Sequence, residues 1–306
     1  MHQTSSHNHL HSDKKVNTGN LLWVSLLNLL ITVAELIGGL LSNSLALLSD
    51  ALHNLGDAFA TFIAWIASRL SNRESTEKAT FGLKRIEILA ALLNAVTLIV
   101  LSIYLFREAW FRLQNPEPVN SLIMLVVAAI GLLANIYAVV LLKKDSAKSL
   151  NVKAAYIHLI GDSLSSVVVI IGGLLMLYFR IYWVDPIITF LIGLYILKET
   201  YQILKETVNI LMQHTPDNLN LQEIKNEIER IKEVKNIHHI HAWNLTDQLI
   251  HFEAHIEIAD DLRLSQLEIV RTQIETTLRN SFSIDHITLQ FEFQTDDQKS
   301  MIFNEE

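Results

Sequence analysis

Half of the 306 residues are apolar and there is no cysteine, so disulfides and thiolate metal sites are excluded, and any transition-metal chemistry rests on histidine and carboxylate. The formal charge is −8 overall but unevenly spread, +2 up to residue 214 and −10 beyond it. An acidic second part argues against a nucleic-acid partner and favours cations.

The first 19 residues form a polar tail, beginning MHQTSSHNHLHSDKK, with no apolar core of the kind a cleaved signal peptide has. Its histidines, His2, His7, His9 and His11, read equally as a weak metal collector or as an inert flexible end. From residue 20 to 206 the chain predicts a membrane domain. A membrane-spanning helix needs about 20 mostly apolar residues, and six such stretches run over 20–41, 45–69, 85–113, 119–142, 152–179 and 182–205. Lipid offers the backbone no hydrogen bonds, so these stretches are helices. The 2–3 connection carries Arg69, Arg73, Lys78, Lys84 and Arg85, the 4–5 connection Lys143, Lys144, Lys148 and Lys153, and the tail Lys14 and Lys15. The opposite loops hold only Arg112, beside Glu117, and Arg180. This asymmetry predicts that both termini face the cytoplasm, and the compact loops of this multi-pass chain point to a bacterial plasma (inner) membrane.

Residues 207–306 predict a soluble α+β domain: an amphipathic helix over 219–233, strands over 235–245 and 249–259, a second helix over 264–281 and a last strand over 286–293. In the second strand Ile250, Phe252, Ala254, Ile256 and Ile258 alternate with His251, Glu253, His255 and Glu257. The first strand, with His238, His239 and His241, has mixed faces and no clear alternation.

Within the spans a few ionisable residues stand out, because each Asp at membrane depth costs about 2.5–3.5 kcal/mol. Span 2 holds Asp50, His53 and Asp57; span 5 holds His158 and Asp162. His53 and Asp57 are four apart and share a helix face, and His158 and Asp162 repeat the spacing. Two such helices together offer two imidazole nitrogens and two carboxylates, a full tetrahedral set for Zn²⁺, whereas Mg²⁺ and Ca²⁺ prefer oxygen throughout. Gly56, Ala58, Gly161, Ser163, Ser165 and Ser166 permit close helix approach. A proton relay built from the same four residues is the competing reading. Asp50 fits a ligand, an acceptor that fixes an imidazole tautomer, or a polar group at the membrane boundary. Glu35 in span 1 joins it as a group that could support the ligands from outside. Asn28, Asn94 and Asn135 fit hydrogen bonds between helices.

The runs SNSLALLSDALHNLGD (42–57), FGLKRIEILAALLN (81–94) and HLIGDSLSSVVVI (158–170) closely resemble the cation diffusion facilitator family. The likeness covers nearly the whole chain and implies a fold: a polytopic α-helical membrane protein of six transmembrane helices with a C-terminal α+β, metallochaperone-like cytoplasmic domain. It also implies a homodimer in membrane lipid that exchanges divalent metal for protons. The transport site falls on His53, Asp57, His158 and Asp162, of the zinc-type pattern, with Cd²⁺ or Co²⁺ as further substrates. In the soluble domain the resemblance favours His238 and His255, with Gln290 and Glu292 at the third-strand positions. Glutamine is a poor ligand, which departs from relatives with His and Asp there. The 4–5 loop also departs, being short and free of histidine over 143–153.

The function expected is therefore efflux of Zn²⁺ from the cytoplasm by proton exchange, with Zn²⁺ as cargo and as a possible regulatory ligand and with no organic cofactor. A membrane metal sensor or scaffold that binds without transporting is the alternative. A zinc hydrolase is disfavoured, since H-E-x-x-H is missing and no general base stands beside an open zinc position.

Overall fold

The computed structural model describes residues 18–143, 146, 150–295 and 300–302. The tail histidines His2, His7, His9 and His11, with Lys14, Lys15, Lys144 and Lys148, lie outside the described residues. The helices are α1 (Thr18–Ser42), α2 (Leu45–Ser71), α3 (Ile86–Gln114), α4 (Ser121–Leu142), α5 (Leu150–Phe179) and α6 (Val184–Leu211), then α7 (Leu221–Ile228) and α8 (Leu264–Phe282). The strands are β1 (Val234–Asn244), β2 (Ile250–Ile258) and β3 (His286–Glu292). The described chain forms two compact units, residues 1–59 with 97–200, and residues 60–96 with 201–306.

Five helices, all but α2 of the first six, are long and apolar enough to cross a membrane. At 27 residues α2 has the length, roughly 40 Å at 1.5 Å per residue; Asp50, His53, Asn54 and Asp57 lower its apolarity. In the first unit, large apolar side chains such as Trp23, Leu30, Leu41, Leu133 and Tyr178 stand exposed. Helices apolar on every side need an apolar solvent. Between them the helices pack closely at glycine: Gly38 against Val127, Gly173 against Leu125, and Gly131 against the carboxylate of Glu35.

The turn between α1 and α2 is built tightly. Asn43 has a left-handed backbone, φ 57°. Arg112 donates to its carbonyl at 2.7 Å and to its Oδ1 at 2.9 Å, and Asn43 in turn donates to Glu117. Arg112 is also paired with Glu108 and Glu117, so its charge is neutralised locally. The α2 N-terminus exposes backbone N–H groups that have no partner within the helix. Asp185, fully buried at the start of α6, accepts from Leu45 N at 2.7 Å, Ala46 N at 3.3 Å and the Ser44 hydroxyl at 2.5 Å.

In the second unit β1 and β2 pair antiparallel and β2 and β3 parallel, in the order β1-β2-β3. The inner face carries Ile237, Ile240, Phe252, Ala254 and Ile256, which pack with Ile224 and Ile228 of α7 and Ile274 and Leu278 of α8. The helix expected over 219–233 stops at Ile228. Ile231 and Val234 continue its spacing and are buried, but from two successive turns, Ile231 N to Ile228 O and Val234 N to Ile231 O. Asn220 caps α7, its side chain accepting from Gln222 N and Glu223 N.

Candidate metal centre

α2 and α5 bring the four expected residues together. His53, His158 and Asp162 each offer a ligand atom, and these atoms lie within 4.8 Å of one another. Asp57 Oδ2 stands between the imidazoles, 3.3 Å from His158 Nε2 and 3.6 Å from His53 Nε2, and Asp162 Oδ2 is 3.5 Å from His158 Nε2. The rings of His53 and His158 are 5.9 Å apart, centre to centre. The i, i+4 pairing places one histidine above one aspartate on each helix, and the crossing of α2 and α5 does the rest.

The flanking groups resolve into distinct roles. Asp50 is buried, accepts a 2.5 Å hydrogen bond from Ser165, and lines a cavity of about 370 Å³ with His53, Asp162 and Tyr195. It ties α2 to α5 and is not among the clustered ligand atoms. Glu35 is buried and accepts from Asn54, the residue after His53, at 3.2 Å. Asp50 is thus bonded to a residue of α5, and Glu35 to a residue of α2. Of the small residues, Gly161 gives room to the Tyr195 hydroxyl of α6, and Gly56 to Leu98 of α3. Sequence reasoning missed Tyr195, whose ring is 6.3 Å from that of His53, and Asp185. Tyr195 carries no sequence signal above that of an ordinary membrane tyrosine. Asp185 could have been found, as an ionisable residue opening a span.

A second group forms on the polar face of the C-terminal sheet. Ligand atoms of His238, His255 and Glu292 also lie within 4.8 Å of one another. His255 Nδ1 is 2.7 Å from Glu292 Oε1 and His238 Nε2 is 3.3 Å from Glu292 Oε2. Gln290 joins through a hydrogen bond, its amide donating to Glu292 Oε1 at 3.0 Å, and Thr295 donates to Oε2 at 3.0 Å. Burial works against ionisation of Glu292, but Thr295, His255, Gln290 and His238 hold its carboxyl below the usual range.

The rest of this face is not the uniformly solvated row that alternation alone would suggest. His251 is buried beneath Trp243, stacked at 5.4 Å, and against Phe81 and His286 at 5.3 and 4.6 Å. Burial, then the neighbouring His286, pushes its pKa down. Glu257 is buried under the Lys235 ammonium, 3.0 Å away.

Comparison with known proteins agrees with this architecture. Residues 21–212 match the cation efflux transmembrane domain, and residues 216–294 match the cytoplasmic domain of cation efflux proteins. A zinc transporter, ZitB, of Pectobacterium atrosepticum is 38% identical over 98% of this chain and 93% of its own length. A cadmium, cobalt and zinc/H(+)-K(+) antiporter of Bacillus subtilis is 36% identical over 88% of this chain and 87% of its own. The metal cation efflux system protein CzcD of Cupriavidus metallidurans is 38% identical over 85% and 82%.

Proposed function

The chain belongs to the cation diffusion facilitator family of cation efflux proteins, and from that premise we propose that it exports Zn²⁺ from the cytoplasm across the plasma membrane, as a homodimer, in exchange for protons. The observation that carries this reading is the convergence of two imidazoles and two carboxylates from α2 and α5. Zn²⁺ accepts four such donors at about 2.0–2.2 Å, so a cation entering between them draws in side chains now 3.3–3.6 Å apart. Relatives named for zinc and for cadmium and cobalt support the substrate class, and one named as an H(+)-K(+) antiporter supports the exchange.

Metal and protons compete for the same lone pairs, so loading the site releases protons and protonating it expels the metal. Imidazole side chains change protonation within the physiological range. When the site opens to a proton-rich outer face, protons displace the cation outward; reopened to the cytoplasm, it loses them and takes up the next. The lysine and arginine bias of the 2–3 and 4–5 connections supports an orientation with both termini cytoplasmic. The boundaries that fit this scheme are a tail over 1–19, a transport domain over 20–206 and a cytoplasmic domain over 207–306.

The deciding experiment is zinc flux in proteoliposomes with an imposed pH gradient. Flux that follows the gradient and disappears in Asp57→Ala supports the exporter. Zinc bound at the α2–α5 site without flux would instead identify a sensor or scaffold.

A further inference from the structure

The antiparallel pairing of β1 with β2 is interrupted at two places, between Val234 and Asn236 and between His238 and His241, and the second matters here. His238 pairs with His255 and His241 with Glu253, so two residues of β1, His239 and Ile240, stand opposite the single residue Ala254. This is a β-bulge, and His239 occupies it with a left-handed φ of 51°. Non-glycine residues seldom adopt that conformation. Residues three apart fall on opposite faces of a regular strand. The inserted residue cancels that parity: His238 and His241 share the face of their partners His255 and Glu253, while Ile240 and Ala242 are buried. The bulged segment is braced from its outer edge by His239 N to Ser300 O at 3.2 Å and Ile240 N to Met301 O at 2.9 Å.

The result is a histidine cluster beside the His238–His255–Glu292 group. The ring of His239 lies 4.5 Å from that of His255 and 5.0 Å from that of His241. Two imidazoles bound tetrahedrally to one zinc at 2.0–2.1 Å have ring centres roughly 5 Å apart, so the spacing suits a shared cation. Glu253 is the cross-strand partner of His241 and lies close enough to act electrostatically on His239. His239, His241, Glu253 and His255 line a cavity of about 220 Å³, closed on the β3 side by Thr288 and Gln290. His255 uses Nδ1 toward Glu292, so the nitrogen left for a cation on the His239 side is Nε2.

We propose that His239, His241 and Glu253 form a second cation site of the C-terminal domain, taking a zinc-class transition metal, with His255 lying between it and the His238 group. Its donors are two imidazoles and a carboxylate, a set of the kind that open zinc positions use. The site stands independently of whether α2 and α5 transport metal.

Zinc counting on the purified full-length protein tests it. In a parent carrying Asp57→Asn and Asp162→Asn, which silences the α2–α5 site, Zn²⁺ is titrated against a competing chelator and bound metal is measured by atomic absorption. The expected result is that His239→Gln with His241→Gln removes one equivalent per protomer, that His238→Gln removes a different one, and that the combination removes both. Glu253→Gln, an exposed substitution that leaves the bulge intact, weakens the same equivalent as the histidine pair by about tenfold or more. His286→Gln, elsewhere on the sheet, leaves the count unchanged. Full stoichiometry and unchanged affinity in both the histidine pair and Glu253→Gln would overturn the proposal. So would a loss no larger than that caused by His286→Gln.

Discussion

The two candidate ligand groups, on α2 and α5 and on the C-terminal sheet, have nearly the same chemistry and opposite construction. In the membrane, one carboxylate oxygen of Asp57 stands at ion-pair distance from two imidazoles, and the Asp57 and His158 side chains keep 35% and 39% of their exposure. In the C-terminal domain, Glu292 and His238 are almost fully buried, and Glu292 is held by a 2.7 Å contact to His255 with bonds from Gln290 and Thr295. Two separate helices present the first group; adjacent strands of one sheet present the second. An exporter must release its ion, so loosely held donors with room to part suit the membrane group. A braced, preorganised group suits lasting occupancy.

Disabling the membrane group is expected to have the largest effect. Asp162→Asn should reduce zinc flux by at least about 100-fold, while detergent-solubilised protein elutes and melts like the parent. Flux near the parental level would remove the proposed distinction between an ion-releasing and an ion-holding group. Next comes the scaffold of the membrane group. Asp185→Asn weakens the bonds to Ser44, Leu45 and Ala46 that start α2, and should destabilise the protein by roughly 1–3 kcal/mol. Thermal unfolding in detergent measures it, and an unchanged transition would show that α2 does not depend on this cap.

A smaller effect sharpens the other side of the comparison. Gln290→Ala removes one brace from Glu292 without removing a ligand atom, so zinc affinity of the C-terminal group should fall by about tenfold or less. A loss as large as that of His255→Ala would make Gln290 a ligand after all. The smallest effect concerns pH. The folded-state pKa of His251 is held below the ordinary 6.5 by burial, then by His286, so the unfolded chain binds the extra proton first. Stability contributed by neutral His251 is therefore present above about pH 6.5 and lost progressively as pH falls below it. The melting temperature of the C-terminal domain should drop on acidification through that range, and His251→Gln should make the drop shallower.

Much of this was legible in one dimension. Long apolar runs announced the membrane helices because length and hydropathy are local properties, and the paired i, i+4 motifs announced the α2–α5 group because helix periodicity is regular. α2 departed from the apolar rule at the residues that make the site. The limits appeared where regularity ended. Alternation described β2 but not β1, since β1 shifts register twice against β2 and each shift inverts the faces of the residues beyond it. Spacing by threes extended α7 past Ile228, where two turns bury Ile231 and Val234 instead.

Residue types and their periodicity determined, with no coordinates, that this protein has a helical membrane part and an acidic α+β part, and that its candidate metal ligands are nitrogen and oxygen donors. Only the tertiary structure decided what Asp185, Tyr195, Asp50 and Glu35 touch, that Gln290 braces Glu292, and that His239 and His241 join one cluster. Those outcomes depend on contacts between elements far apart in the chain and on one irregular backbone angle, and neither leaves a periodic trace in the order of residues.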